Sequence, residues 1–317
     1  MKSYKKIIFS LLLIFIIVEV LFIFPKQLEK SDEIDTTKSS TSEKEKPEHR
    51  MEGVHLVESP QGSRDWELFA TKARGVQGEG DWFLNQVRVQ FYNKNKIEFI
   101  VTANEGEIDG KTRNIKFKGS VVTKSNNGYT FYTEELFYQA GQRKILSPGK
   151  LKMLGPSDDQ GDGLLLDGYN MLAEVDTSEM RIFKDVKATK KLKNQNELKI
   201  KSEMAQFNGQ NKEAHFENNV VLNIQEMKIE GPDCYFIYSP NMNVLEFIRF
   251  KGGVVVQDKK RKAVSQLLEV NLFANTFRFQ GDPKIYQDDD EIKGEEILFI
   301  DGGKKIKIQK VNASGKF

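Results

Sequence analysis

The chain is poor in the residues that most enzyme chemistry needs. Cys234 is its single cysteine, so no internal disulfide can form and no zinc-ligand spacing exists. That scarcity does not exclude an oxidising compartment, because a long β array can be stable without staples. The three histidines, His49, His55 and His215, are scattered. No Gly-x-x-x-x-Gly-Lys-Ser/Thr loop is present to hold a nucleotide phosphate, and no Gly-x-Ser-x-Gly elbow to present a nucleophile. The acidic clusters Asp288-Asp289-Asp290-Glu291 and Asp158-Asp159 flank turn sequence and read as solvated loops. A formal net charge of +2 over 317 residues leaves no basic footprint for nucleic acid. Long helical periods are missing after residue 50; the best candidate, Arg261 to Val270, is short and mixed. The composition thus points to a non-catalytic protein with no cofactor and no metal.

What is present begins with an apolar run. Ile7 to Phe24 is 18 nearly all apolar residues, and at about 1.5 Å per residue it just spans a bilayer core. Lys2, Lys5 and Lys6 precede it and place the N-terminus in the cytoplasm. A cleaved signal peptide would have a shorter apolar core and a small-residue cleavage site. Here the run ends in Phe24-Pro25-Lys26-Gln27, which favours an uncleaved anchor. Glu19 within it has two readings: a group reaching water at the outer interface, or one packed against helices of a membrane partner. Residues 28–50 are rich in Ser, Thr, Lys and Glu, lack periodicity, and read as a flexible linker.

From there to the C-terminus one motif recurs. A bulky residue is followed at the second position by a residue that is often Gly or Asn, and at the fourth usually by Val. It reads Phe83-x-Asn85-x-Val87, Phe117-x-Gly119-x-Val121, Ser147-x-Gly149-x-Leu151, Ile182-x-Lys184-x-Val186, Phe216-x-Asn218-x-Val220, Phe250-x-Gly252-x-Val254 and Phe279-x-Gly281-x-Pro283. Successive starts lie 34, 30, 35, 34, 34 and 29 residues apart, the mark of stacked units. Around each motif apolar and polar residues alternate, as in Ile115, Phe117 and Val121 against Lys116, Lys118 and Ser120. That period of two predicts strands with one wet face. Asp109-Gly110, Ala140-Gly141, Asn208-Gly209, Ser239-Pro240 and Asp301-Gly302 supply turns, so each period holds two or three short strands. The central Gly or Asn tolerates positive φ and either bends its strand or sits in a tight turn; Lys184 breaks the pattern.

These features carry a resemblance. A basic cytoplasmic end, an anchor and a tether are followed by Trp66-Glu67-Leu68-Phe69-Ala70, Thr102 to Asp109, Ile115 to Val121 and Tyr129 to Tyr138. Residues 1–190 resemble the LptC family of lipopolysaccharide export components. From Met204 onward, most clearly at Ile292 to Phe299, the repeats resemble the OstA-like β-jellyroll of the LptA family. The resemblance implies an all-β, elongated, twisted β-jellyroll behind one transmembrane helix. The expected segments are 1–27 (cytoplasmic stub and anchor), 28–50 (linker), 51–190 (LptC-like jellyroll) and 191–317 (further LptA/OstA-like repeats). It implies an inner-membrane protein with a periplasmic β domain and an apolar groove for the acyl chains of lipopolysaccharide. Implied partners are LptB/LptF/LptG-like ABC transporter subunits, met through the membrane helix, and an LptA-like or outer-membrane LptD-like protein joined end to end by strand pairing.

On that reading the groove is lined by Trp66, Leu68, Phe91, Phe117, Val121, Phe131, Met153, Val186, Val220, Leu222, Phe250, Val254 and Phe279, and partner contacts fall at Glu19, Ile306 and Ile308. For any one of these residues an ordinary core position is the plain alternative, and for Ile306 to Gln309 a capping strand. Two other functions remain open: a membrane-anchored β-helix enzyme processing polysaccharide, and a scaffold that binds protein only.

Overall fold

The computed structural model describes residues 48–317, apart from 77–79, 160, 193–195, 240–243, 303–304, 310–311 and 315–317. The expected anchor, Glu19 and most of the linker lie outside the described residues. Among the described residues no helix is long and apolar enough to cross a membrane. Residues 46–317 form one compact unit, so strand structure begins inside the segment expected as linker.

Among the described residues, twenty-one strands build one antiparallel sheet. They are β1 (Glu48–Glu58), β2 (Trp66–Val76), β3 (Trp82–Asn93), β4 (Lys96–Ile108), β5 (Ile115–Ser125), β6 (Thr130–Gln139), β7 (Lys144–Leu154), β8 (Leu165–Glu174), β9 (Glu179–Lys191), β10 (Glu197–Ser202), β11 (Met204–Asn208), β12 (Glu213–Ile224), β13 (Met227–Tyr238), β14 (Leu245–Gln257), β15 (Arg261–Asn271), β16 (Thr276–Gln280), β17 (Lys284–Gln287), β18 (Asp290–Lys293), β19 (Glu296–Ile300), β20 (Lys305–Gln309) and β21 (Asn312–Ser314). Up to β10, and again from β12 to β16, each strand pairs with the one before it; beyond that β17 pairs back to β15, β19 to β16 and β21 to β18. β10 and β11 are two halves of one rung, both lying between β9 and β12. β16 and β17 likewise share β15. Most rungs are single strands of 10 to 13 residues, so a sequence period holds two long strands rather than several short ones. The mixed stretch from Arg261 is β15, a strand and not a helix.

The motif centres mark where strands bend. Positive φ falls at Gln86 in β3, Gly119 and Ser120 in β5, Asp185 in β9, Asn218 and Asn219 in β12, Gly252 and Gly253 in β14, and Gly281 and Asp282 between β16 and β17. Register shifts accompany them, between Lys118 and Val121, between Glu217 and Val220, and between Lys251 and Val254. These are β-bulges, which kink a strand and raise its twist. The bend at Lys184 is made by its neighbour, Asp185, an acidic residue that tolerates the left-handed region. In β3 the bend at Gln86 resets the alternation without a register shift. Leu84 is buried and Phe83 is 39 % exposed, so the inward residue before this bend is not the one the motif suggests.

Turns are more varied than the dipeptides predict. Lys94 and Asn95, at φ 48° and 62°, close β3 onto β4 with two residues. Asp109 instead caps a longer turn, its carboxylate accepting from the Lys111 and Thr112 amides at 2.8 and 2.9 Å. Asn208 does the same for Gln210 and Asn211.

Bending lets both halves of a strand face one interior. Phe117 and Val121, on either side of the β5 bend, are both within 1 % of full burial. One contiguous apolar cluster runs from Val54 to Phe299. The sheet also rolls, so that strand ends on one lip meet those on the other about four rungs later. Asp65, just before β2, accepts from the Tyr138 hydroxyl at 3.0 Å and pairs with Arg143, just before β7. Arg143 also donates to the Tyr92 carbonyl at 3.0 Å and pairs with Asp176 at 2.7 Å. The rings of Phe91 and Tyr138 meet edge-on, 4.5 Å between centroids. This seam closes the first part of the roll around a buried carboxylate, one oxygen accepting from Tyr138 and the other ion-paired with Arg143.

Two predictions follow from the bends and the seam. Gly252 sits at φ +87°, and an added Cβ would lie 2.8 Å from Pro232 Cγ, whereas Gly149 has ordinary φ and open space beside it. Gly252→Ala is expected to destabilise by about 1–3 kcal/mol and Gly149→Ala to stay within about 0.5 kcal/mol, measured by denaturant midpoint. Burial pushes the Tyr138 phenol and the Cys234 thiol well above their ordinary values. Both groups keep their protons in the fold, so their stabilisation is complete at neutral pH. It is lost as pH climbs past the unfolded thiol near about 8.5 and phenol near about 10. Tyr138→Phe should flatten the alkaline loss above about pH 10; an unchanged slope would show that Tyr138 is not a titrating contributor.

Candidate functional site

The inward rows converge on an apolar interior, and its free space lies near the lips rather than at the bends. A first cavity of about 290 Å³ is bounded by Phe99, Phe131, Ile145, Met153, Leu164, Met171, Met180, Phe207 and Tyr238, most of them close to strand ends. A second, of about 1040 Å³, is bounded by Leu192, Leu198, Ile224, Met227, Val256, Ala263, Val270, Phe277, Phe279, Ile285 and Phe299. Its size is that of a ligand pocket. Lys259, paired with Glu226, and Arg261, paired with Asp258 at 3.0 Å, stand among its polar lining.

All thirteen residues expected in the groove sit on inward rows. Trp66 and Leu68 are on β2, Phe91 on β3, Phe117 and Val121 on β5, Phe131 on β6 and Met153 on β7. Val186 is on β9, Val220 and Leu222 on β12, Phe250 and Val254 on β14 and Phe279 on β16. Twelve are no more than 3 % exposed, and Phe131 is half-buried against the same cluster. Phe131 and Met153 line the first cavity and Phe279 the second. Of the others, Trp66 and Phe91 pack near strand ends, and most of the rest pack against their neighbours at and beside the bends. The reason is geometric: the motif flags the crease of each bent strand, where side chains from both halves crowd together. The cavity residues stand nearer the turns, and the alternation within each strand is the signal that could have found them.

Of the expected partner residues, Ile306 and Ile308 lie on β20, which pairs with β19 on one side. Ile308 packs against the core and Ile306 is 46 % exposed. Glu19 lies outside the described residues.

Polar groups near the first cavity carry its electrostatics. Burial pushes the Tyr129 phenol up, and the charge of Asp158 adds to the shift. Tyr238 is raised by burial first, then by Tyr129 and the charge of Asp158. Both phenols therefore stay neutral hydrogen-bonding groups. Asp158, expected in a solvated loop, turns inward and contacts Lys190. The other acidic cluster does form a turn, with Asp288 and Asp289 between β17 and β18. Among the described residues no group of three or more His, Cys, Asp or Glu could hold a metal ion.

Residues 11–191 match the family described as lipopolysaccharide-assembly, LptC-related. Residues 199–302 match the family described as LptA/(LptD N-terminal domain) LPS transport protein. No curated protein matches the chain. Among solved structures it is similar to LptH of Pseudomonas aeruginosa, described as the LptA homologous periplasmic component of the lipopolysaccharide transport device. That likeness has 13 % identity and a TM-score of 0.34, covering 38 % of this chain and 94 % of the other. The LptC-related match spans more than half of the sequence, and with it the chain belongs to the LptC-related family of lipopolysaccharide-assembly proteins, followed here by a segment of the LptA/LptD N-terminal type.

Proposed function

We propose that this protein is a non-catalytic bridge segment that takes lipopolysaccharide from an inner-membrane ABC transporter and carries it along its apolar interior toward the outer membrane. The observation that supports this most is continuity. The meander passes from β9 to β10 and β11 without a break, so the two family segments share one sheet and one apolar cluster. A lipid with several acyl chains cannot cross water unaided, since each exposed methylene costs about 0.8 kcal/mol. An interior lined by Phe, Met, Val and Ile keeps such chains dry while a sugar head stays outside. On this reading the thirteen inward residues form the path, and the acyl chains enter where the lips leave room. The crowded stretches between cavities then open as a chain passes, with Phe117 and Phe250 parting from their neighbours.

The remaining parts of the reading concern the two ends. Residues 1–27 anchor the chain in the inner membrane beside LptB/LptF/LptG-like subunits, with the β unit in the periplasm. At the far end β20 offers an edge to an LptA-like or LptD-like partner, which adds a strand against Ile306 and Ile308. Lys305 and Lys307 alternate with them on the same strand and discourage indiscriminate pairing.

Photo-crosslinkers placed at Phe131, Met153 and Phe279 in living cells are expected to capture lipopolysaccharide, identified by mass; no adduct at any of the three would sink the transport reading. Deleting residues 1–27 should abolish co-purification with the transporter subunits. Full retention would move that contact to the β unit.

A further inference from the structure

We infer that Lys190 is an anion-binding site at the rim of the first cavity, which takes the phosphate of an acylated amphiphile in exchange for Asp158. The inference rests on the transport reading above and assigns that reading a station for the head group.

Lys190 stands where an apolar residue is due. The inward row of β9 runs Met180, Ile182, Val186, Ala188, and then Lys190. Its side chain is 1 % exposed, and its ammonium lies 2.7 Å from Asp158 Oδ2 and donates to the Asp162 carbonyl at 3.0 Å. Both Lys190 and Asp158 line the first cavity, beside Tyr129 and Met153. Two desolvated charges recover little more than they lose, and an apolar pair of similar volume would hold the fold as well or better. A buried ammonium in a greasy cavity is therefore poorly explained by stability alone.

The way Asp158 is held suits exchange. It comes from the connection between β7 and β8, not from a strand. That connection is tied to the end of β9 by the Asp162 amide, which donates to the Lys191 carbonyl at 3.0 Å, and by a bridge between Gly161 and Leu192. Its other oxygen accepts from the Gly161 amide at 3.1 Å within the same connection, so the carboxylate can leave the ammonium by giving up contacts of that connection, without breaking the β7–β8 or β8–β9 ladders. A phosphate arriving at the rim with its acyl chains in the cavity would keep the ammonium paired, so the swap leaves no bare buried charge. Location adds a second argument. Lys190 lines the first cavity and Leu192, two residues on, lines the second. The station therefore falls where cargo passes from one cavity to the next.

The test uses the full-length chain, purified with its N-terminal segment, and two probes: lipid A and enzymatically dephosphorylated lipid A. Wild-type protein is expected to bind the phosphorylated probe about tenfold more tightly, the size of one charge-assisted hydrogen bond. Asp158→Asn should widen that ratio by removing the competing carboxylate. Lys190→Met should bring that ratio close to one. If Lys190→Met fails to fold with Asp158 left uncompensated, the double variant K190M with D158N carries no buried charge and replaces it. A ratio that is the same in wild type and every variant overturns the inference and leaves the transport reading standing. Failure of wild-type protein to bind either probe overturns both.

Discussion

The structure depends on a backbone constraint in the middle of its strands: residues that must adopt positive φ. An antiparallel meander of long strands would otherwise be a broad sheet, with two faces to cover and too little chain to cover them. The bulges at Gly119-Ser120, Asn218-Asn219 and Gly252-Gly253 fold each strand on itself, so that one sheet supplies both walls of its own interior. The cost is local, since Gly and Asn enter the left-handed region with little strain. The return is a single apolar cluster that reaches from β1 to β19, with no α-helix among the described residues to cap it.

Bending also decides where the interior is full and where it is empty. At the crease, side chains from the two halves of a strand and from both neighbours crowd together, and Phe117, Phe216 and Phe250 are completely buried there. Toward the lips the walls diverge. In the first part of the roll the gap is sealed by Asp65, Arg143 and Tyr138; further on it is left as the two cavities. Apolar depth with polar lips is the arrangement an amphiphile needs, since its chains and its head demand opposite surroundings.

How much of this could be read from the amino acids follows from the same geometry. A bulky residue, then Gly or Asn, then Val repeats because each bend needs a permissive backbone flanked by side chains that fill the crease, so the motif found the bends and their packing. At Lys184 the bend moved one residue to Asp185, which a pattern keyed to Gly and Asn does not register. Phe83 misled because the bend shifts the alternation by one, and only the backbone at Gln86 reveals it. Arg261 to Val270 reads as mixed because the buried row of β15 contains the polar Ser265, and the alternation resets between it and Leu268 beside a register shift. The cavities were hidden for a different reason. They depend on which lip meets which, a matter of how the sheet rolls over several rungs, and no local spacing records that. Asp158 belongs with them: an acidic pair beside Gly looks like solvated loop until β9 brings a lysine beneath it.

The fused organisation alters the energetics of a bridge. Two separate jellyrolls joined by strand addition must offset about 4–15 kcal/mol of lost translational and rotational freedom before their joint is stable. Between β9 and β10 that association cost is absent, because the two segments are one chain and their pairing is part of folding. The joint can then tolerate features that a separable interface could not, including a buried charge at its edge. Lys190 lies at this point, one residue before the end of the LptC-related match. Transport along similar apolar wells gives a lipid no preferred resting place, since each step resembles the last. A single polar exception between two cavities breaks that uniformity. With a covalent joint behind it, the exception can hold cargo in register without loosening the bridge it sits in.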